Sequence, residues 1–489
     1  MISADGTWHK MASANEGGAV VERYARDGRR VAKLLCPVVR PSDPADGTTV
    51  LNAAQIMIHG DSDTIFAVAA GGSHSAITLL RISGAMSGVV LDSLCQSRPA
   101  PRRASRRSLR NQSGEILDRA VVIWLPGPAT YTGEDSLELH LHGGEAVLAD
   151  TVEALVALGI RPAEAGDFTR RAFLNERIDL LEAEATADLI LSETKRQRLQ
   201  ALQQLDGGLG SIVDEWKKTL IFILAQQEAL IDFPDEDLPA EVDEALHAGI
   251  LDLRQAMAVH LNDNHRGEKL RDGLVFAILG APNAGKSTLM NALAGRDVAI
   301  VSHLPGTTRD VLEARMILGG VPVTLLDTAG LRDTADPIEA EGVRRAWARA
   351  AEADLVLLVG NSIEVHPEPP ADTPWMRVTT KIDQCGPYEP GDIGICALTG
   401  TGMPNLIEAL SSHARQMTQT AGPPPLTRPR HRAALTTAVQ CLTASLTAPA
   451  PELRAEDLRL ALRSLGRLTG HVGVEDILDS VFRQFCIGK

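Results

Sequence analysis

The sequence predicts a multidomain α/β protein: a parallel sheet with flanking helices is inserted into an α-helical domain, and a small α+β module precedes both. A chain of 489 residues exceeds what one hydrophobic core usually holds. The apolar period turns helix-like at Ile178, reverts to short strand-like runs at Arg271 and is helical again after Gly422. Within the middle stretch a strand-like run leads directly into a Gly-rich loop ending in Lys286 and Ser287.

Residues 1–56 mix turn formers such as Asp43, Pro44 and Gly47 with one amphipathic piece near Val31 to Leu35, and carry no motif. They are expected to be flexible, or else translation begins at Met57. In residues 57–176 the apolar segments Ile65 to Val68, Ala76 to Ile82 and Val121 to Leu125 alternate with Gly, Ser and Pro turns, which reads as α+β. Residues 177–270 read as helical, because Ile178, Leu181, Ala185 and Leu189 share one helix face and Trp216, Leu220 and Ile223 repeat the spacing. In residues 271–422 short apolar runs are each followed by a Gly-rich or charged turn and a helix-like stretch, the pattern of a parallel sheet with crossover helices. After the breaker Gly422-Pro423-Pro424-Pro425, residues 423–489 are helical again, with Leu458, Leu462, Leu465 and Leu468 on one face.

A chain that is 44% hydrophobic and 23% charged is not globally disordered. Its longest apolar runs, such as Leu220 to Leu224 and Leu355 to Val359, fall far short of the roughly 20 residues of a bilayer span. No secretory apolar core opens the chain, and Cys36, Cys95, Cys385, Cys396, Cys441 and Cys486 form no CxxC pair, so a reducing cytoplasm fits best. A net charge of -15 excludes nucleic-acid binding by global attraction but not a local site. Arg102, Arg103, Arg106, Arg107 and Arg110 are a candidate for one; their other reading is a solvated loop rich in Arg and Ser. His140 and His142 share a strand face, but no third ligand follows at a zinc-like interval, which favours a turn or substrate-pocket role.

The run Leu274 to Leu279 enters Gly280-Ala281-Pro282-Asn283-Ala284-Gly285-Lys286-Ser287, and Thr288 to Leu293 can begin a helix, which completes a GxxxxGK[ST] phosphate loop. Its glycines let successive backbone N–H groups and the helix terminus point at negative charge. Lys286 adds a cation for the β and γ phosphates, and the Ser287 hydroxyl can ligate magnesium. Asp327-Thr328-Ala329-Gly330 is a DxxG at a strand end, where Asp327 holds the magnesium shell and the Gly330 N–H senses the γ phosphate. Between them, Gly306-Thr307-Thr308 supplies Thr308 as the second magnesium hydroxyl, in a loop ordered only by triphosphate.

Thr380-Lys381-Ile382-Asp383 stands where an NKxD motif reads guanine: Asp383 accepts from N1–H and the exocyclic amine, while Thr in place of Asn loses an amide and is expected to weaken affinity. Cys396-Ala397-Leu398 follows, and the Ala397 N–H can meet the guanine carbonyl oxygen. Many small GTPases place a Gln after the DxxG to orient the attacking water, but this chain has Leu331. The orienting group must come from elsewhere, such as Glu339 or Glu341. Arg309 and Arg332 are near without being obvious fingers, and Asn283 offers a carbonyl oxygen to another cation beside the phosphates.

With these motifs the chain resembles the MnmE (TrmE) family of tRNA-modification GTPases. The resemblance runs from about 63 to 489, through Asp63-Thr64-Ile65, Leu80 to Gly84, Tyr131 to Asp135 with Glu138 and His142-Gly143-Gly144, Phe168 to Asn175, Ile231 to Pro234, the nucleotide motifs and the terminal Phe485-Cys486-Ile487-Gly488-Lys489. It implies a P-loop GTPase domain and a cytoplasmic homodimer formed through the amino-terminal module, with 5-formyl- or 5,10-methylene-tetrahydrofolate bound at that interface. It also implies a flavin-dependent MnmG (GidA) partner in a heterotetramer or larger assembly. Together they install an aminomethyl or carboxymethylaminomethyl group on carbon 5 of the wobble uridine of certain tRNAs, while GTP hydrolysis drives a conformational cycle in which nucleotide domains pair.

The resemblance carries the GTP site over Asn283, Ala284, Gly285, Lys286, Ser287, Thr288, then Ser302, His303, Leu304, Pro305, Gly306, Thr307, Thr308, then Asp327, Thr328, Ala329, Gly330, Thr380, Lys381, Asp383, Cys396, Ala397 and Leu398. Potassium is expected on Asn283, Ser302, Leu304 and Thr307, and the water-orienting carboxylate falls on Glu339, beside Lys286 as the other catalytic group of hydrolysis. Folate residues fall on Arg81, Glu138, Arg177 and Lys489. The family commonly has Lys where Arg177 stands, and its Pro- and Gly-rich turn is here Ala70-Gly71-Gly72-Ser73-His74. Cys486 is implied to take part in the modification chemistry; as a bare sequence feature it reads as packing. The alternative function is a regulatory GTPase switch in ribosome or tRNA assembly that transfers no carbon; an ATPase would rest on Thr380 alone.

Overall fold

The computed structural model describes residues 8–15, 18–24, 30–36, 63–71, 74–232, 240–281, 283–295, 313–327, 351–361, 373–384, 391–419, 422, 424–470, 478, 481–482, 485 and 488. The chain divides into two units, Met1–Gly60 and Asp61–Lys489. In the first, β1 (Trp8–Asn15), β2 (Gly18–Tyr24) and β3 (Arg30–Cys36) form an antiparallel sheet, so the extension contains hydrogen-bonded strands and the amphipathic piece lies in β3.

The second unit opens with β4 (Ile65–Ala70), β5 (Ser75–Ser83), α1 (Ser87–Cys95), β6 (Ser105–Arg110), β7 (Ile116–Leu125), β8 (Ser136–Gly143), α2 (Glu145–Ala157), β9 (Arg161–Pro162) and α3 (Asp167–Leu174). The sheet order is β6-β7-β8-β5-β4-β9, and its inner face, with Leu80, Ile82, Val122, Leu137 and Leu139, packs on Val90 and Leu91 of α1 and Leu155 of α2. One sequence reading is corrected. Arg106, Arg107 and Arg110 lie in edge strand β6 and not in a loop; its one fully buried apolar residue, Leu109, was too little to signal a strand among arginines and serines. His140 and His142 lie within β8, as their strand spacing indicated, which leaves the substrate-pocket side of that reading.

The helices follow: α4 (Leu180–Leu191), α5 (Lys195–Leu205), α6 (Gly208–Asp232), α7 (Ala240–Leu261) and α8 (Arg266–Asp272). Capping boxes start two of them, Asp179 with Glu182 at α4 and Thr194 with Gln197 at α5, each satisfying otherwise orphaned N–H groups. Then come β10 (Leu274–Gly280), α9 (Lys286–Ala294), β11 (Glu313–Leu318), β12 (Val321–Asp327), β13 (Leu355–Gly360), β14 (Trp375–Thr379), β15 (Ile393–Gly394), α10 (Met403–Met417), α11 (Pro429–Leu446) and α12 (Pro451–Thr469). One apolar cluster joins Leu181, Trp216, Leu220 and Ile223 to Leu435, Leu458, Leu465 and Leu468, so helices from both sides of residues 271–422 share a core. Among the described residues, no helix is long and apolar enough to cross a membrane.

A polar network ties the same two sides together. Glu184 of α4, 1% exposed, accepts from Arg430 Nε at 2.5 Å and Nη2 at 2.6 Å, and its Oε2 lies 2.8 Å from His431 Nε2. Arg428 Nη2 and Arg271 Nε both donate to Asp188 Oδ1, at 2.8 and 2.9 Å.

The nucleotide-type sheet has the order β11-β12-β10-β13-β14-β15, parallel throughout except for the β11–β12 pair. Phe276 and Ile278 of β10 face one core with Leu289, Leu325, Leu357 and Leu406. Because β10, β12, β14 and β15 run the same way, the segments after them gather at one edge, where open α/β sheets bind ligands.

Candidate functional site

The phosphate loop leaves β10 at Gly280, where a Cβ would sit 2.1 Å from the Val359 carbonyl oxygen, so only glycine lets the strands approach. The loop turns through two left-handed residues, Asn283 (φ 64°) and Gly285 (φ 92°), before α9 begins. Such alternation aims consecutive N–H groups into a concavity suited to anions, and the α9 terminus adds its dipole. Lys286 is buried and its Nζ donates to the carbonyls of Gly280 and Ala281, each at 2.8 Å, which holds the cation against the loop.

Ser287 Oγ donates to Asp327 Oδ2 at 3.0 Å, joining the start of α9 to the end of β12. Asp327 is 3% exposed, and among the described residues its Oδ1 has no hydrogen-bond partner. A buried carboxylate oxygen beside a hydroxyl fits a hard divalent cation with oxygen ligands. Asn283 on the loop and Thr288 in the first turn of α9 are both exposed.

On the base side, Thr380 follows β14 and its Oγ1 lies 2.6 Å from the Ala284 carbonyl oxygen and 3.1 Å from that of Gly360. Lys381 Nζ donates to the Asn283 carbonyl at 2.8 Å. Asp383 is exposed in the next turn, which Ile382 N–H ties to the Ile395 carbonyl at 3.3 Å, beside Cys396, Ala397 and Leu398. Cys396 donates its own N–H to Thr401, and Leu398 is exposed. The expected residues Ser302, His303, Leu304, Pro305, Gly306, Thr307, Thr308, Thr328, Ala329, Gly330 and Glu339 lie outside the described residues.

A second constellation occupies the amino-terminal sheet. Arg81 of β5 stands opposite Glu138 of β8, and its Nε and Nη2 donate to Oε1 at 3.2 and 3.0 Å. Both side chains are partly exposed. His140 Nε2 is buried 3.6 Å from Glu138 Oε2, beyond hydrogen-bond reach, and among the described residues has no partner. Arg177 packs its side chain beside Gly133 and donates its N–H to the Ala172 carbonyl at 2.8 Å.

Sequence reasoning missed what braces this site. Arg171 of α3, buried, holds both Asp63 and Glu134, while Arg161 holds Asp63 and Asp167. Burial acts to raise the Asp63 carboxyl, but Arg161 and Arg171 outweigh it and keep it below the usual carboxylate range. Asn175 Nδ2 donates to the Thr132 carbonyl at 2.6 Å, so the loop of residues 131–135 is clamped from the helix behind it. The only hint in the sequence was that these residues belong to the matched stretches Tyr131 to Asp135 and Phe168 to Asn175.

Phe482 and Phe485 pack with Phe173 and Leu180, and Gly488 lies against Val68 and Ala69 of β4, the strand paired with that of Arg81. Cys486 and Lys489 lie outside the described residues. Cys95 is no candidate nucleophile, because burial pushes its thiol up to about 11. His142 Nδ1 pairs with Asp118 Oδ1 at 2.7 Å, and no group of three possible metal ligands occurs among the described residues.

Residues 64–177 match the family model described as GTP-binding protein TrmE N-terminus, and residues 180–486 match that of the MnmE helical domain. The tRNA modification GTPase MnmE of Granulibacter bethesdensis is 55% identical over 440 residues, spanning 87% of this chain and 99% of that protein. The protein of the same name from Gluconacetobacter diazotrophicus is 56% identical over 430 residues, spanning 87% and 98%. A crystal structure of Aquifex aeolicus Era bound to GDP and aluminium fluoride covers 34% of this chain and 66% of its own, at 25% identity and a TM-score of 0.25, so the assignment rests on the sequence relatives. The chain belongs to the MnmE (TrmE) family of tRNA-modification GTPases.

Proposed function

We propose that the chain hydrolyses GTP in the service of tRNA modification. With a flavin-dependent partner of the MnmG type, it adds an aminomethyl or carboxymethylaminomethyl group to carbon 5 of wobble uridine. The observation that carries the GTPase part is the joining of Ser287 to Asp327 beside Lys286, on the same sheet edge as Asp383.

The loop amides from Asn283 to Ser287 bind the β and γ phosphates, Lys286 offsets their charge, and Asp383 selects the base. Ser287 and, through water, Asp327 are the described residues that would hold magnesium, with Thr308 expected as a further ligand; the ion would supply positive charge that offsets the β and γ phosphates. Asn283, exposed on the loop, fits a donor to potassium, which supplies positive charge where no arginine finger is evident. Glu339 orients the attacking water in place of the apolar Leu331.

Two outcomes follow for hydrolysis. Glu339→Ala retains GTP affinity and slows turnover about 10²-fold, the scale of losing one positioned catalytic group; single-turnover hydrolysis measures it, and unchanged turnover rejects the assignment. Sodium in place of potassium slows turnover of the parent protein in a steady-state phosphate-release assay; indifference to the ion removes Asn283, Ser302, Leu304 and Thr307 from that role.

Arg81, Glu138 and His140 fit the pterin end of a tetrahydrofolate: the carboxylate suits the pterin's amino and ring N–H donors, and the guanidinium holds that carboxylate in place. Arg177 and Lys489 are the further expected contacts, and Cys486 the expected chemical participant. Ile77 and Val121, 59% and 40% exposed, lie on the same sheet face as Arg81 and Glu138, which supports pairing with a second copy there. Nucleoside analysis of bulk tRNA after gene deletion tests the modification: wobble uridines lacking the carbon-5 group are expected, and unchanged ones would leave only an assembly switch.

A further inference from the structure

We infer that Thr380 positions the phosphate loop and leaves N7 of the guanine unread, so that base recognition rests on the N1, 2-amino and O6 groups alone. The inference deepens the guanine-nucleotide reading above and rests on it. Thr380 is 2% exposed, and its hydroxyl lies 2.6 Å from the Ala284 carbonyl oxygen and 3.1 Å from the Gly360 carbonyl oxygen. A hydroxyl has a single proton, and both of these partners are acceptors. The proton is therefore committed to the chain's own carbonyls, with the shorter contact, to Ala284, as the main bond.

What remains on the oxygen is acceptor capacity, and N7 of a purine is itself an acceptor. The hydroxyl cannot bond it. An asparagine amide at the same position would carry two N–H donors, one for a loop carbonyl and one for N7, which lies on the far side of the ring from the N1–H and amine that Asp383 accepts. The threonine thus keeps the first function of that amide and lacks the second. Lys381 reinforces the first: its Nζ bond to the Asn283 carbonyl makes two consecutive residues of the base-reading segment grip two consecutive residues of the phosphate loop. A Cβ on Gly285 would lie 3.5 Å from Thr380 Oγ1 and 3.7 Å from its Cγ2, so the threonine fits against the glycine as well as bonding its neighbour.

The test is equilibrium binding of GDP and of 7-deaza-GDP, in which a C–H replaces N7, to the full-length protein with magnesium. Equal affinities, within about twofold, are expected for the parent. Thr380→Asn is expected to create a preference for GDP of about three- to tenfold, the scale of one hydrogen bond. Thr380→Val, nearly isosteric but without the hydroxyl, should weaken both nucleotides equally by about tenfold, and Thr380→Ser should restore both. A parent that prefers GDP by fivefold or more overturns the inference, as does Thr380→Val protein that binds as tightly as the parent. Failure of both nucleotides to bind the parent would instead overturn the guanine-nucleotide reading itself.

Discussion

Asp383→Asn is expected to lower affinity for GDP about 10³-fold and to admit xanthine nucleotides in its place. The carboxylate accepts from N1–H and the 2-amino group at once, and each charge-assisted bond contributes about 1.5–3 kcal/mol. An amide retains one acceptor but turns a donor toward the guanine amine, so one bond is lost and one contact becomes repulsive. Xanthine carries a carbonyl at that carbon, which the new donor satisfies. Asp383 is exposed in a turn after β14, so the substitution acts on the base and not on the core. Competition of GDP and XDP against a fluorescent guanine nucleotide measures the effect; unchanged GDP affinity would remove Asp383 from base recognition.

The second large effect concerns stability. Glu184→Ala is expected to destabilise the helical domain by about 3–5 kcal/mol, because removing one member of a buried ionic group leaves the others uncompensated. Arg430, His431 and Arg428 all converge on Glu184, which is 1% exposed. Burial acts to raise the Glu184 carboxyl, but His431 and Arg430 reverse it and hold it well below the ordinary range. Burial is also the leading effect on His431 and pushes the imidazole below its ordinary range, which favours the neutral ring donating from Nε2.

Both shifts have the same consequence. Below about pH 6.5 the unfolded chain protonates His431 while the folded chain does not, and further down the unfolded chain protonates Glu184 first, so stability is lost as pH falls. Thermal unfolding at pH 7.5 and pH 5.5 should show the parent losing stability in acid through His431, and Glu184→Ala losing at least as much, because the substitution removes the carboxylate that raises the imidazole. A variant as stable as the parent at pH 7.5 would contradict the role given to this cluster.

What the sequence disclosed was local. The strand, glycine loop and helix around Lys286 stand within a few residues of one another, and the helix faces of Leu181 and Leu458 repeat at fixed spacing, so both were legible before any coordinate. The pairings of Glu184 with His431 and of Arg171 with Asp63 join residues 247 and 108 positions apart, and nothing in a local pattern marks them. Strand β6 was hidden because arginines and serines dominate an edge strand that buries little, a composition that also discourages edge-to-edge pairing. Thr380 is the instructive case. The sequence showed a missing amide and implied a weaker site; in the structure its hydroxyl replaces the loop contact, leaving only the base contact unmade.

Guanine-nucleotide retention by the purified full-length protein with magnesium supplied is the most direct test. Isothermal titration is expected to give one GDP or GTP per chain, undisplaced by excess ATP. Protein that binds no guanosine nucleotide, or that yields it readily to ATP, would contradict the account.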